Sequence, residues 1–337
     1  MTYFAGIQMF MEKLNQLINF NHVPLINNPA LFIHSLPAEI VVINDLKKSR
    51  ILLTTRLTEV AKNANSNGLI HHLGYLNEGK SWELLRTKVF HDINECPEWS
   101  IRPGMQIVES CKGLPLSVAV IAGVLAKDAW NRKWWEEIAE TTRSYIVGEE
   151  NGCLEILALS YHHLPLHLRE CFLYLGGFPE DHKFHVKRLI WLWVAEGFIQ
   201  QDGSGSLEDT AGSYLKGLID RNLVSVSHIS KFNGAVKRCI LHDLVRELCL
   251  RKAKEERLIW SSPLSNAITP PYKPVRIFIT PPYKQGTPPQ SLRSIWFFSA
   301  KETLSDDIAR MCFCPYMLLR VLVLQSSGFN GFPTGME

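Results

Sequence analysis

The sequence predicts a multidomain protein of mixed class, α/β plus α, with a parallel sheet near its start and short repeated strands near its end. Three observations carry this. Two apolar runs, Ile40–Ile43 and Ile51–Thr55, read as short buried strands of a parallel α/β sheet. From Ser81 to Leu250 helical periodicity dominates, interrupted by one strong hairpin signal. Finally, LRSI (Leu292–Ile295) and LRVLVL (Leu319–Leu324) recur twenty-seven residues apart, a spacing at which short strands stack one per turn of a solenoid.

The totals bound the problem. With 337 residues, 46% apolar and 20% charged, the chain can form two or three domains of about 100–150 residues each. A net charge of +3 is too small for bulk attraction to nucleic acid or membrane. The first residues, MTYFAGIQMFMEKLNQL, lack the basic start, apolar core and cleavage site of a secretory leader, so a cytoplasmic location is expected. Eight cysteines contain no C-x-x-C pair, which argues for reduced, buried thiols over a zinc site or disulfide framework. Cys312 and Cys314 flank Phe313 without a second pair at ligand spacing. The longest apolar run, Leu114–Ala126, falls short of the ~20 residues that span a bilayer and reads as a core helix, so no stable membrane insertion is expected.

Taken in order, residues 1–38 mix a helical MFMEKLNQLI with Pro and Asn turns and are assigned no domain. Residues 39–96 form a partial α/β domain, in which Arg56 leaves the C-terminal end of the second strand, the edge where open α/β sheets place ligands. Residues 97–150 are helical, with Pro115 in the first turn of the apolar helix, where its missing N–H costs little. Residues 151–257 begin with a helical region, Leu154–Phe178. HVKRLIWLWVAEGFI then carries Val186, Leu189, Ile190, Trp193, Val194 and Phe198 on one face, and a further helix is opened by Ser206 with Asp209 three residues on. LVSVSHIS and AVKRCILH flank KFNG, whose Asn233-Gly234 is a hairpin turn signal. Helix, helix, helix, hairpin is the order of a winged-helix domain. Residues 258–290 are Pro-rich and repeat ITPPYK at Ile268–Lys273 and Ile279–Lys284, as a duplicated linker would. Residues 291–337 hold only two strand repeats, a stub of a leucine-rich-repeat solenoid.

GYLNEGKS, Gly74–Ser81, matches the phosphate-loop pattern G-x-x-x-x-G-K-[ST] letter for letter. Glu78 would place a carboxylate beside phosphate oxygens, where like charges repel strongly in a water-poor site. Asn77 is better read as a helix cap with Glu78 in the first turn, and no downstream apolar strand ends in the acidic pair that would hold Mg²⁺. The stretch therefore reads as a helix start that imitates the pattern.

The motifs in sequence resemble the NB-ARC region of plant intracellular disease-resistance proteins of the coiled-coil, leucine-rich-repeat type, similar to solanaceous late blight resistance proteins. ILLTTRLTEVA, SWELLRTKVF, CKGLPLSVAVIAGVLA, ECFLYLGGFPED, LIWLWVAEGFI and LHDLVRELCL follow one another in family order from Ile51 to Leu250. The resemblance implies a partial P-loop NTPase-like sheet, a helical domain and a winged-helix domain serving as an ADP/ATP-dependent switch in the defence response, with the hypersensitive response as its outcome. It implies that Arg56 senses nucleotide phosphate, Pro115 packs on adenine and His242 meets the ADP phosphate, with Leu241 where the family has Met. It implies immune-signalling proteins or pathogen effectors as partners, together with self-association.

Alone, each of these residues has a plainer reading. Arg56 is a surface arginine ending a strand, Pro115 a helix start, His242 a packed turn histidine, and Asp243 an N-cap. The joint order favours function for Arg56, Pro115 and His242. The family's phosphate loop belongs upstream of Ile51, where too few residues remain; Asp45 is the remnant of an acidic strand at best. We therefore expect a truncated resistance-type chain that is no enzyme and that binds nucleotide poorly. Two rivals are a working NTPase using Gly74–Ser81 and a winged-helix DNA-binding protein. The second lacks basic helix faces, since Trp, Leu and Glu dominate LIWLWVAEG, so no nucleic-acid partner is expected.

Overall fold

The computed structural model describes residues 39–46, 49–55, 58–64, 70–72, 74–90, 96–145, 152–200, 205–262, 276–279, 292–298 and 318–325. They belong to two compact units, residues 1–163 and 164–337. Arg56, Cys312, Cys314 and the first ITPPYK copy lie outside the described residues.

The first unit opens with a three-stranded sheet of order β2-β1-β3, formed by β1 (Glu39–Leu46), β2 (Ser49–Thr55) and β3 (Ile70–His72). Both pairings are antiparallel, with Val41 opposite Leu53 and Ile40 opposite His71. This corrects the parallel sheet expected from the apolar runs. Only residues 47 and 48 separate β1 from β2, whereas parallel neighbours need a crossover of a dozen or more residues. A hairpin is what so short a connection permits.

Helices α1 (Thr58–Ala64), α2 (Glu78–Phe90), α3 (Ile101–Ser110), α4 (Pro115–Leu125), α5 (Arg132–Tyr145) and α6 (Gly152–His162) complete this unit among the described residues. The apolar run expected to be a core helix is α4, and it is buried on nearly every side, from Ser117 and Val118 through Leu125. Around it pack Leu85 and Val89 of α2, Ile107 and Val108 of α3, and Trp135 and Ile138 of α5. Trp135 stacks on Phe90 at 5.6 Å and donates its indole N–H to the Ala129 carbonyl at 2.9 Å, so the aromatic ring is buried with its polar atom satisfied. Gly104 of α3 lies so close to Trp82 that a Cβ there would stand 2.1 Å from the ring.

The second unit runs α7 (Leu166–Gly176), β4 (Lys183–His185), α8 (Val186–Glu196), α9 (Leu207–Asp220), β5 (Ser225–Ile229), β6 (Val236–Ile240) and α10 (Asp243–Glu255). The sheet order is β4-β6-β5, all antiparallel, which is the winged-helix arrangement expected from the hairpin signal. α9 starts as its sequence dictates, with Ser206 Oγ accepting from the Asp209 amide at 3.1 Å and donating to the Asp209 carboxylate at 2.7 Å. α8 stops at Gly197, whose φ of +77° supplies the left-handed residue that ends a helix. Gly176 and Gly177 end α7. An added Cβ would meet the Cys249 Cβ of α10 at 2.4 Å from the first position and the Phe278 ring at 2.5 Å from the second.

A parallel sheet of order β10-β9-β8-β7 follows, built from β7 (Ile259–Ser262), β8 (Arg276–Ile279), β9 (Ser294–Phe298) and β10 (Val321–Gln325). β10 pairs with β9 at the twenty-seven-residue offset of the sequence repeat, Val321 opposite Ser294. β7 and β8 fall inside the stretch expected to be linker. The short runs IWSS and RIFI place enough apolar and β-branched residues there to extend the ladder. Phe278, Trp296 and Phe298 stack along the sheet, and Phe178 and Tyr174 meet them edge-on, so this sheet and the winged helix share an aromatic core.

Candidate nucleotide-sensing site

In the first unit an open cleft of about 530 Å³ is lined by Leu76, Asn77, Glu78, Gly79 and Ser81 from the start of α2, Val108 and Glu109 of α3, and Lys112 and Gly113 ahead of α4. Its shape follows from one close approach. The Leu76 amide donates to the Gly113 carbonyl at 2.9 Å, and a Cβ on Gly113 would sit 2.2 Å from the Leu76 carbonyl oxygen. Gly113 also has φ +71°, and Lys112 before it φ +49°, so the loop enters α4 through two left-handed residues.

Gly74–Ser81 runs into the first turn of α2. Asn77 caps α2 as its sequence position predicts: its Oδ1 accepts from the Lys80 amide at 2.9 Å, and its carbonyl accepts from the Ser81 amide at 2.9 Å. Two amides that a phosphate cradle would offer to an anion are thereby engaged. Glu78 and Glu109 outnumber Lys112 in the cleft lining, which disfavours a phosphate further. Ser81 Oγ is fully buried and has no hydrogen-bond partner among the described residues.

Pro115 occupies the first turn of α4, exposed at the surface two residues beyond the cleft, and is not one of the lining residues. His242 stands in the second unit as the N-cap of α10, where its Nδ1 accepts from the Leu244 amide at 3.2 Å. Asp243, read from sequence as the cap, is instead the first helical residue. Pro115 and His242 belong to different units, and Arg56, the third expected residue, is outside the described residues. Arg246 of α10 donates to the Phe178 carbonyl at 2.5 Å and lies 3.8 Å from Glu180, tying the helix that His242 caps to the turn after α7.

Sequence reasoning missed Glu196. It ends α8 fully buried, accepts from Arg276 Nε at 2.8 Å and from Ser294 Oγ at 2.5 Å, and its carbonyl accepts from Arg320 at 3.3 Å. The signal was a carboxylate inside the apolar run LIWLWVAEGFI, but its partners lie 80, 98 and 124 residues away. Among the described residues no group of three or more His, Cys, Asp or Glu is placed to hold a metal ion, and no helix is long and apolar enough to cross a membrane.

Comparison with known proteins adds the lineage. A family model described as the NB-ARC domain matches residues 37–95, and one described as the disease resistance protein winged helix domain matches residues 178–249. Over 214 residues the chain is 42% identical to the late blight resistance protein R1-A of Solanum demissum, a match covering 63% of this chain and 16% of the relative. Two late blight resistance protein homologues of the same species match over the same share at the same identity. The chain thus spans about one-sixth of the length of these relatives. Two domain models in the expected order, together with this identity, make the chain similar to NB-ARC disease-resistance proteins over the matched stretches.

Proposed function

We propose that the chain is part of a plant intracellular immune receptor, an ADP/ATP-dependent switch for defence signalling in which this segment binds nucleotide weakly and turns little or none over. The observation that carries the weak binding is the Asn77 cap. It engages the Lys80 and Ser81 amides at the one place where the chain has a Gly-Lys-Ser, and Glu78 and Glu109 flank it. Without a cradle of free amides and its lysine, the electrostatics of phosphoryl transfer are missing. His242 against the ADP phosphate, Pro115 against adenine and Arg56 against phosphate complete the reading.

β8, β9 and β10 are read as the first rungs of a leucine-rich-repeat solenoid, supported by their parallel pairing and the offset of the sequence repeat. Signalling proteins, pathogen effectors and further copies of the chain are the proposed partners, and the cytoplasm the proposed location. Titration of the chain with fluorescent ADP tests the switch reading. We expect no submicromolar binding and no change on Lys80→Ala. Submicromolar affinity lost on His242→Ala would overturn the weak-binding reading, and turnover abolished by Lys80→Ala would establish an NTPase at Gly74–Ser81.

A further inference from the structure

The β4-β6-β5 sheet bears basic residues and no acidic one. β6, its central strand, holds Lys237 and Arg238; β4 holds Lys183 and His185; β5 holds His228. Arg238 is paired with His185 on one side and His228 on the other, so the three form a row across one face, and all are exposed. Lys183, two residues before His185, is exposed on the same face. From Arg221 to His242 the chain contains no Asp or Glu. None of Lys183, Lys231, Lys237 and Arg238 belongs to an ion pair among the described residues.

The tip of the hairpin adds apolar surface. Phe232 is fully exposed, Ile229 is 53% exposed, and Lys231 lies exposed between them in sequence. The tip is held by the Ser230 amide donating to the Ala235 carbonyl at 2.8 Å and by the Gly234 amide donating to the Ser230 carbonyl at 3.0 Å. An ordinary solvated face mixes both signs of charge. Charges that guard a sheet against aggregation sit on edge strands, whereas Arg238 is on the central one.

We propose that this wing is a docking surface for an anionic lipid bilayer. Phe232 and Ile229 enter the boundary between headgroups and acyl chains, and Lys183, Lys231 and Arg238 lie against the headgroup charge. A nucleic acid fits the surface less well. The helix that would enter a major groove, α9, opens with Glu208 and Asp209, and Ile229 beside Phe232 offers a base neither a stacking plane nor a hydrogen bond. The inference is independent of nucleotide binding.

Co-sedimentation of the whole chain with vesicles tests it. Binding to vesicles of phosphatidylcholine and phosphatidylserine is expected, with none to phosphatidylcholine alone and a loss on raising salt. Phe232→Ala is expected to lower partitioning roughly tenfold or more, as the burial of one aromatic side chain implies. Lys231→Glu with Arg238→Glu is expected to lower it at least roughly tenfold, since each cation near an anionic surface contributes about fivefold. All three positions are exposed, and an unchanged melting curve establishes that each variant is folded. Absence of sedimentation with the mixed vesicles, partitioning that both variants leave unchanged, or tighter binding to duplex DNA or single-stranded RNA than to vesicles would each overturn the proposal.

Discussion

Glu196→Ala is the perturbation that most directly probes how the second unit holds together. The side chains of Glu196 and Arg276 are 0% and 5% exposed, and their atoms meet at 2.8 Å, with Ser294 Oγ on the other carboxylate oxygen. Arg276 also lies over the Phe198 ring, 4.4 Å from its centroid. Removing the carboxylate leaves a guanidinium almost fully out of water without its anionic partner. Breaking a buried pair from one side costs about 3–5 kcal/mol, whereas replacing both partners by apolar groups of similar volume is near neutral. Urea unfolding of the single variant and of the Glu196→Leu/Arg276→Met pair, followed by tryptophan fluorescence, separates the two cases. The single change should lower stability by about 3–5 kcal/mol, and the double change should recover most of it. A single-variant cost under about 1 kcal/mol, or a double variant as unstable as the sum of the two single changes, would refute the reasoning.

Three further outcomes follow from local geometry. Gly113→Ala combines a left-handed backbone with a Cβ 2.2 Å from the Leu76 carbonyl oxygen, so a loss above about 2 kcal/mol is expected in thermal unfolding. Asn77→Ala removes the cap of α2 and should cost about 1 kcal/mol while leaving the ADP titration unchanged. His182, packed among Phe178, Phe184 and Phe298, is held down to about 4 by burial first and by Arg188 second, from the ordinary imidazole value of 6.5. The folded state thus binds fewer protons than the unfolded chain between those values, so stability is whole above pH 6.5 and falls as pH drops toward 4. His182→Phe should flatten that acid limb in denaturation midpoints taken across the range; an unchanged slope would remove His182 as its cause.

Local rules made part of this fold legible. The Ser206 and Asn77 caps, the Asn233-Gly234 hairpin and the buried α4 each depend on residues within a few positions of one another, and each appears where the sequence put it. The β1–β2 hairpin shows the limit of reading periodicity, because apolar runs specify strands without specifying direction; the two-residue connection held the missing information. At α10 the cap moved by one residue because an imidazole nitrogen serves as acceptor where a carboxylate was expected. Glu196 was illegible for a different reason, since its partners come from strands far along the chain. Of the candidate site, the position of Pro115 at a helix start and the Asn77 cap were both readable in advance.

The two glycines that close α7 work as a hinge plate seen from both sides. Gly176 leaves no room between its own backbone and Cys249, and Gly177 none between its backbone and Phe278, so one dipeptide is the shared bearing for a helix and for a sheet. A methyl group at the first spot pushes against α10 and one at the second against the parallel sheet, so neither position tolerates a side chain.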